Sequence, residues 1–349
     1  VTTKSPPVSA ATALPAASND APLPAARRDL APLLLVPALI LLMLPLVGSF
    51  PTWVTLTIAG LAMGMMIFIM ASGLTLVFGL MDVLNFGHGA FVSVGAYAAT
   101  MVLIPMRGWL DVDSLLINLG VLGLAIAVAM LATALLGWAF ERIIIAPVYG
   151  QHLKQILITM GGMIVAEQLI SVIWGAEQIP LPLPASLRGA VLLGDAAVEK
   201  YRLVAVVIGL VVFVAMFLVL NRTKVGLLIR AGVENREMVE AMGYRIRRLF
   251  VAVFAAGSAL AGLGGVLWGL YKETLNAAMG GEMMVMIFIV IIIGGLGSVG
   301  GCFIGALLMA LVANYAGFLL PKFALVSNIA LMIAILLWRP AGLYSNLRR

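Results

Sequence analysis

The chain has 349 residues, of which 63% are hydrophobic and only 10% charged, and its 21 Lys and Arg against 15 Asp and Glu leave a formal net charge of +6. Soluble domains carry about 25% charged residues. A chain this apolar has more surface than a sphere in water can hide, so a water-soluble fold is excluded and lipid is the expected solvent. One cysteine, Cys302, rules out an internal disulfide, and two histidines, His88 and His152, supply no ligand cluster for zinc.

Residues 1–28 are rich in Ala, Pro, Ser and Thr and show no apolar periodicity, which predicts a disordered tail. They lack the basic, apolar and cleavage-site order of a signal peptide. Residues 29–349 then form the membrane domain. A span needs about 20 mostly apolar residues, and ten segments qualify: 30–49, 53–80, 86–104, 115–139, 155–174, 202–220, 248–270, 283–296, 300–320 and 323–338. The expected fold is an all-α, polytopic bundle of membrane helices with about ten spans. Merging the weakest segments gives eight as the alternative, because only the glycine-rich stretch Gly294–Gly301 separates the eighth from the ninth.

Basic residues in short loops favour the cytoplasmic side. Arg27 and Arg28 precede the first span, Arg142 and His152–Lys154 follow the fourth, and Arg339, Arg348 and Arg349 follow the last. The densest group, Arg222, Lys224, Arg230, Arg236, Arg245, Arg247 and Arg248, lies between the sixth and seventh. Ten spans put all four groups on one side and both termini in the cytoplasm. Loops on the other side carry balanced charge, as with Arg107 beside Asp111 and Asp113. The net positive charge is thus an orientation signature of a bacterial-type cytoplasmic membrane protein and requires no nucleic acid.

Polar groups at membrane depth are costly and mark candidate pathway positions. In the second span Ser72 and Thr75 are expected to bond back to their own helix. Asp82, Asn85 and His88 follow at a break that either lines a cavity with free backbone groups or caps helix ends at the surface. Glu167 and Gln168 in the fifth span and Asn314 with Tyr315 in the ninth are further polar positions. Of these, Asn85, His88, Glu167, Gln168 and Asn314 are the candidate pathway residues, the alternative for each being an interhelical hydrogen bond. Glu167 is the sharpest case, since an ionised carboxylate in lipid needs a partner or a proton.

Residues 221–247 form the longest polar stretch between spans. Val233, Met238, Ala241 and Met242 share one side of a helical pattern, Glu234, Glu237, Glu240 and Arg236 line others, and Gly243 stands where a helix would end. Such a segment either docks another protein or is a solvated loop. In the seventh span Gly257, Ala261, Gly262, Gly264, Gly265 and Gly269 make a small-residue packing face. Gly295 to Gly300 fits G-x-G-x-x-G, but membrane spans flank it and no acidic residue follows, so it predicts a tight helix break rather than a nucleotide site.

Three of these stretches, in this order, carry a resemblance: "GLTLVFGLMDVLNFGHGAFVSVGAYAA" (73–99), "RAGVENREMVEAMGYRIRRL" (230–249) and "VIIIGGLGSVGGCFIGALL" (290–308) with the terminal "WRPAGLY" (338–344). The chain resembles the branched-chain amino acid ABC-importer permeases of the LivH/LivM type, nearer the LivH branch. That resemblance implies a transporter subunit that pairs with a second related permease chain, two cytoplasmic ATPases and an extracytoplasmic binding protein. ATP and Mg would then act on the partner ATPases, and this chain would carry no cofactor, no metal and no catalytic residue. Consistently, it has no G-x-x-x-x-G-K-[ST] loop. The resemblance assigns ATPase coupling to Glu234, Asn235, Arg236, Glu237, Met238, Glu240, Ala241 and Gly243, with an amino acid or related polar solute as cargo. The rivals are a stand-alone secondary transporter, which would need ion-coupling groups of which only Glu167 is a deep candidate, and a membrane-embedded enzyme, for which no nucleophile and base pair is present.

Overall fold

The computed structural model describes residues 31–234 and 236–344. The tail expected over 1–28, Asn235, Arg348, Arg349 and the side chains of Val233, Glu234 and Arg236 lie outside the described residues. Among the described residues thirteen α-helices follow one another: α1 Ala31–Val47, α2 Phe50–Met81, α3 His88–Leu103, α4 Arg107–Leu110, α5 Leu115–Phe140, α6 His152–Trp174, α7 Lys200–Arg222, α8 Lys224–Glu234, α9 Arg236–Ala241, α10 Ile246–Lys272, α11 Met279–Gly294, α12 Val299–Leu319 and α13 Ala324–Trp338. Two short antiparallel ribbons complete the described structure, β1 Ile179–Pro180 with β4 Thr274–Leu275, and β2 Ala190–Leu193 with β3 Ala196–Glu199.

Among the described residues, six helical stretches are long and apolar enough to cross a membrane, and four further apolar helices are shorter. The chain is a polytopic α-helical membrane protein. Each apolar segment read from the sequence falls on one of these helices. Length separates them, however: α3 and α11 have 16 residues each, about 24 Å of helix, which is short of the roughly 30 Å hydrocarbon core.

Helices α2 and α10 sit at the centre, with 78% and 67% of their most apolar stretches buried, whereas those of α6 and α7 are only 11% and 17% buried. Lipid gives no hydrophobic reason for helices to associate, so close backbone approach has to do the work. Gly73 of α2 faces the backbone of Gly257 in α10, while Gly60 and Gly64 face Leu311 and Leu307 of α12. The small-residue face of α10 is used on three sides: Gly257 against α2, Gly262 against Thr133 of α5 and Gly95 of α3, and Gly265 against the Val92 backbone. Ser72 and Thr75 donate to the Ile69 and Ala71 carbonyls of their own helix at 2.8 Å each.

The 294–301 stretch is a helix break. Gly295 and Gly297 adopt φ of 95° and 77°, and the Ser298 hydroxyl accepts from the Gly301 N–H at 3.1 Å as the cap of α12. The segment after α13 closes over it, with Leu343 N–H on Ile293 O at 2.9 Å and Tyr344 N–H on Gly294 O at 3.0 Å.

Two contacts sort the connections by side. Asp82, after α2, lies 3.8 Å from His152 at the start of α6, while the β1–β4 pairing joins the ends of α6 and α10 on the opposite side. Following the chain from β1 through α7 and back through α10 places α8 and α9 on the Asp82–His152 side.

Candidate functional site

α2 stops at Asp82, which takes the left-handed conformation (φ 51°) while its N–H still bonds Phe78 O. Asp82 is exposed, but the chain then turns inward: Val83 and Asn85 are fully buried and His88 is 1% exposed. His88 Nε2 lies 2.9 Å from the Met70 carbonyl. A carbonyl only accepts, so the ring carries its proton at Nε2. Met70 precedes the end of α2 by eleven residues, about 16 Å along the helix. The break is therefore a descent into the bundle, and α3 starts at depth. Irregular backbone is tolerated there because protein covers it: Phe86 N–H donates to Thr159 Oγ1 at 3.2 Å, and the Phe86 ring rests on Phe288 at 4.7 Å.

Polar groups gather beside this descent. α5 buries Ala129, Thr133 and Gly137 at four-residue spacing, and Glu141 continues that face at the start of a π-helical turn, Glu141–Ile145, where it is 0% exposed. The Tyr149 hydroxyl donates to Glu141 Oε1 at 2.7 Å. Gln155 donates to Val148 O at 3.0 Å, and Thr159 bonds Gln155 O at 2.7 Å. Among the described residues, both amide atoms of Asn85, Glu141 Oε2 and Gln155 Oε1 are buried without a hydrogen-bond partner. Such atoms almost always find water or solute, so the region can hold polar guests. It contains no nucleophile and base pair, and no group of three metal-ligating side chains occurs among the described residues.

Glu141, Gln155 and Thr159 were not singled out from the sequence, because they border the basic loop after the fourth span and read there as surface. The other candidates lie elsewhere. Glu167 is half-buried and Gln168 exposed on α6, the former eight residues past Thr159 or about 12 Å further along the helix. Asn314 faces the α2–α12 seam, donating to Ala310 O at 2.9 Å with Met63 Sδ at 3.5 Å. The structure thus joins Asn85 and His88 but not Glu167, Gln168 or Asn314.

The connection between α7 and α10 is helical. Thr223 caps α8, its Oγ1 accepting from the Gly226 N–H at 3.3 Å. In α9, Val239 is 1% exposed and anchors the helix, while Glu237, Met238, Glu240 and Ala241 are exposed. Gly243 (φ 86°) ends it with two bonds, its own N–H to Glu240 O at 2.9 Å and Tyr244 N–H to Val239 O at 3.3 Å, the Schellman pattern that satisfies terminal carbonyls.

The pair lies between two spans and packs on the bundle through Leu228, Ile229 and Val239. The family described as "Branched-chain amino acid transport system / permease component" matches residues 56–336. The chain belongs to that family. Similar proteins include the high-affinity branched-chain amino acid transport system permease protein LivH of Escherichia coli (strain K12), 27% identical over 81% of this chain and 92% of the relative. BraD of Pseudomonas aeruginosa is 27% identical over 81% and 93%, and a probable LivH of Methanocaldococcus jannaschii is 28% identical over 79% and 87%. No solved structure matches the chain. Within the permease family, the 73–99, 230–249 and 290–308 stretches correspond here to the buried helix break, the α8–α9 connection and the glycine break, all inside the matched residues.

Proposed function

We propose that this chain is the membrane-spanning permease subunit of a multi-subunit ABC importer for a branched-chain amino acid or a similar small solute. The observation that carries the reading is the α8–α9 pair, anchored by Val239, ended at Gly243 and offering Glu237, Met238, Glu240 and Ala241 outward. Glu234, Asn235 and Arg236 complete the docking segment. Ten crossings put this pair and both termini in the cytoplasm of a bacterial inner membrane, and the basic residues around α7–α10 support that orientation. Closure of two ATPase subunits, which bind ATP and Mg, pushes on the pair and shifts α7 and α10 between inward-open and outward-open states.

The exposed face of α6 suits a second permease chain better than lipid alone, because α6 carries Glu167 and Gln168 among its apolar residues. A carboxylate facing hydrocarbon is costly, whereas one facing a hydrated path between two permease chains is not. Asn85, His88 and Asn314 line or support that path from within the bundle, and an extracytoplasmic binding protein delivers the solute on the β1–β4 side.

Glu240→Lys or Glu234→Lys should lower substrate-stimulated ATPase activity of the reconstituted complex roughly ten-fold, equivalent to about 1.4 kcal/mol of docking, with membrane insertion intact. Full stimulation in both variants removes the pair from coupling.

A further inference from the structure

On the α8–α9 side a cleft of about 780 Å³ opens between the end of α5 and the α9–α10 connection, within the roughly 300–1,000 Å³ typical of small-molecule sites. Its walls differ in chemistry. One is apolar and belongs to membrane helices: Trp138 near the end of α5 and Val251 in the second turn of α10. The other is basic, with Arg142, Arg245, Arg247 and Arg248 facing a single carboxylate, Glu240. Arg142 lies over the Trp138 ring at 5.4 Å, which fixes a guanidinium at the level where an indole sits in a membrane interface. Among the described residues none of the four arginines is ion-paired.

We propose that this cleft seats an anionic phospholipid of the adjoining leaflet, its phosphate on the arginines and the start of its acyl chain along Trp138 and Val251. A guanidinium fork matches phosphate oxygens in pairs, and basic pockets between membrane helices bind anionic headgroups. A free phosphate would use the arginines and leave the apolar wall idle. An acidic protein segment would do the same. Only a lipid needs both walls.

The test requires the full-length chain alone in vesicles, without ATPase subunits, so its outcome is independent of the coupling proposal. Tryptophan quenching is measured with phosphatidylglycerol or phosphatidylcholine brominated on the acyl chain, and the Trp138 contribution is taken as the difference from Trp138→Phe. Brominated phosphatidylglycerol should quench Trp138 at a several-fold lower mole fraction than brominated phosphatidylcholine. Arg247→Gln with Arg248→Gln, at roughly five-fold per charge, should bring quenching by the two lipids close to parity, and Arg247→Lys with Arg248→Lys should keep most of the preference. Lys224→Gln with Arg230→Gln, an equal charge loss on α8, should leave it unchanged. Equal quenching by the two lipids, or an equal loss from the α8 pair, overturns the site. Relief of quenching by inorganic phosphate at matched ionic strength assigns the arginines to a free anion and overturns the lipid.

Discussion

Single atoms decide how this bundle closes. A Cβ on Gly257 would lie 2.7 Å from the Gly73 carbonyl and 3.0 Å from Val77 Cγ2, so α2 and α10 touch through bare backbone. Gly257→Val should therefore destabilise the purified protein by about 1–3 kcal/mol, read as a lower midpoint of thermal unfolding in detergent. Gly120 has no neighbour within 4 Å of its would-be Cβ, and Gly120→Ala should be neutral or stabilising by up to about 1 kcal/mol. The small-residue face of α10 was legible in the sequence, because glycines recurring within an apolar helix have few other uses. Its three different partners were not, since spacing along one helix does not say which helix answers. Glu141 was hidden for a related reason: beside Arg142 it looks like interface charge, and that it continues the buried Ala129, Thr133 and Gly137 face of α5 shows only once the neighbouring helices are placed.

At the scale of elements, position along the chain was easier to read than depth. The apolar runs gave the helices to within a few residues, and Gly243 gave the end of α9. Gly243→Ala would place a Cβ in the left-handed region at a cost of about 1 kcal/mol. Its expected effect is roughly five-fold faster hydrogen exchange at the Tyr244 amide, whose bond to Val239 O closes the cap, with exchange inside α10 unchanged. The descent at 82–88 is a different kind of case. Asn85 and His88 could equally have capped helices at the surface, and a 2.9 Å bond to Met70 O, far up α2, is a long-range fact that no local pattern encodes.

For the whole molecule, the unburied faces of α6 and α7 and the two-sided sorting of loops bear on one topology. The β2–β3 hairpin precedes α7, and its Leu192 is 72% exposed; Glu237 of α9 is exposed beyond the other end of the same helix. If α7 crosses the bilayer with its basic end inside, these two positions face opposite compartments. Cys302 is fully buried, so the parent chain should give little background with a membrane-impermeant maleimide. Leu192→Cys should label in intact cells, and Glu237→Cys only after the cells are opened. Labelling of Glu237→Cys from outside would invert the molecule and take the α8–α9 pair away from any ATPase. Labelling of both positions from one side would mean that α7 does not cross. The basic residues assign the inside, and the Asp82–His152 and β1–β4 contacts assign only which connections share a side, so the two labelling results check both assignments at once.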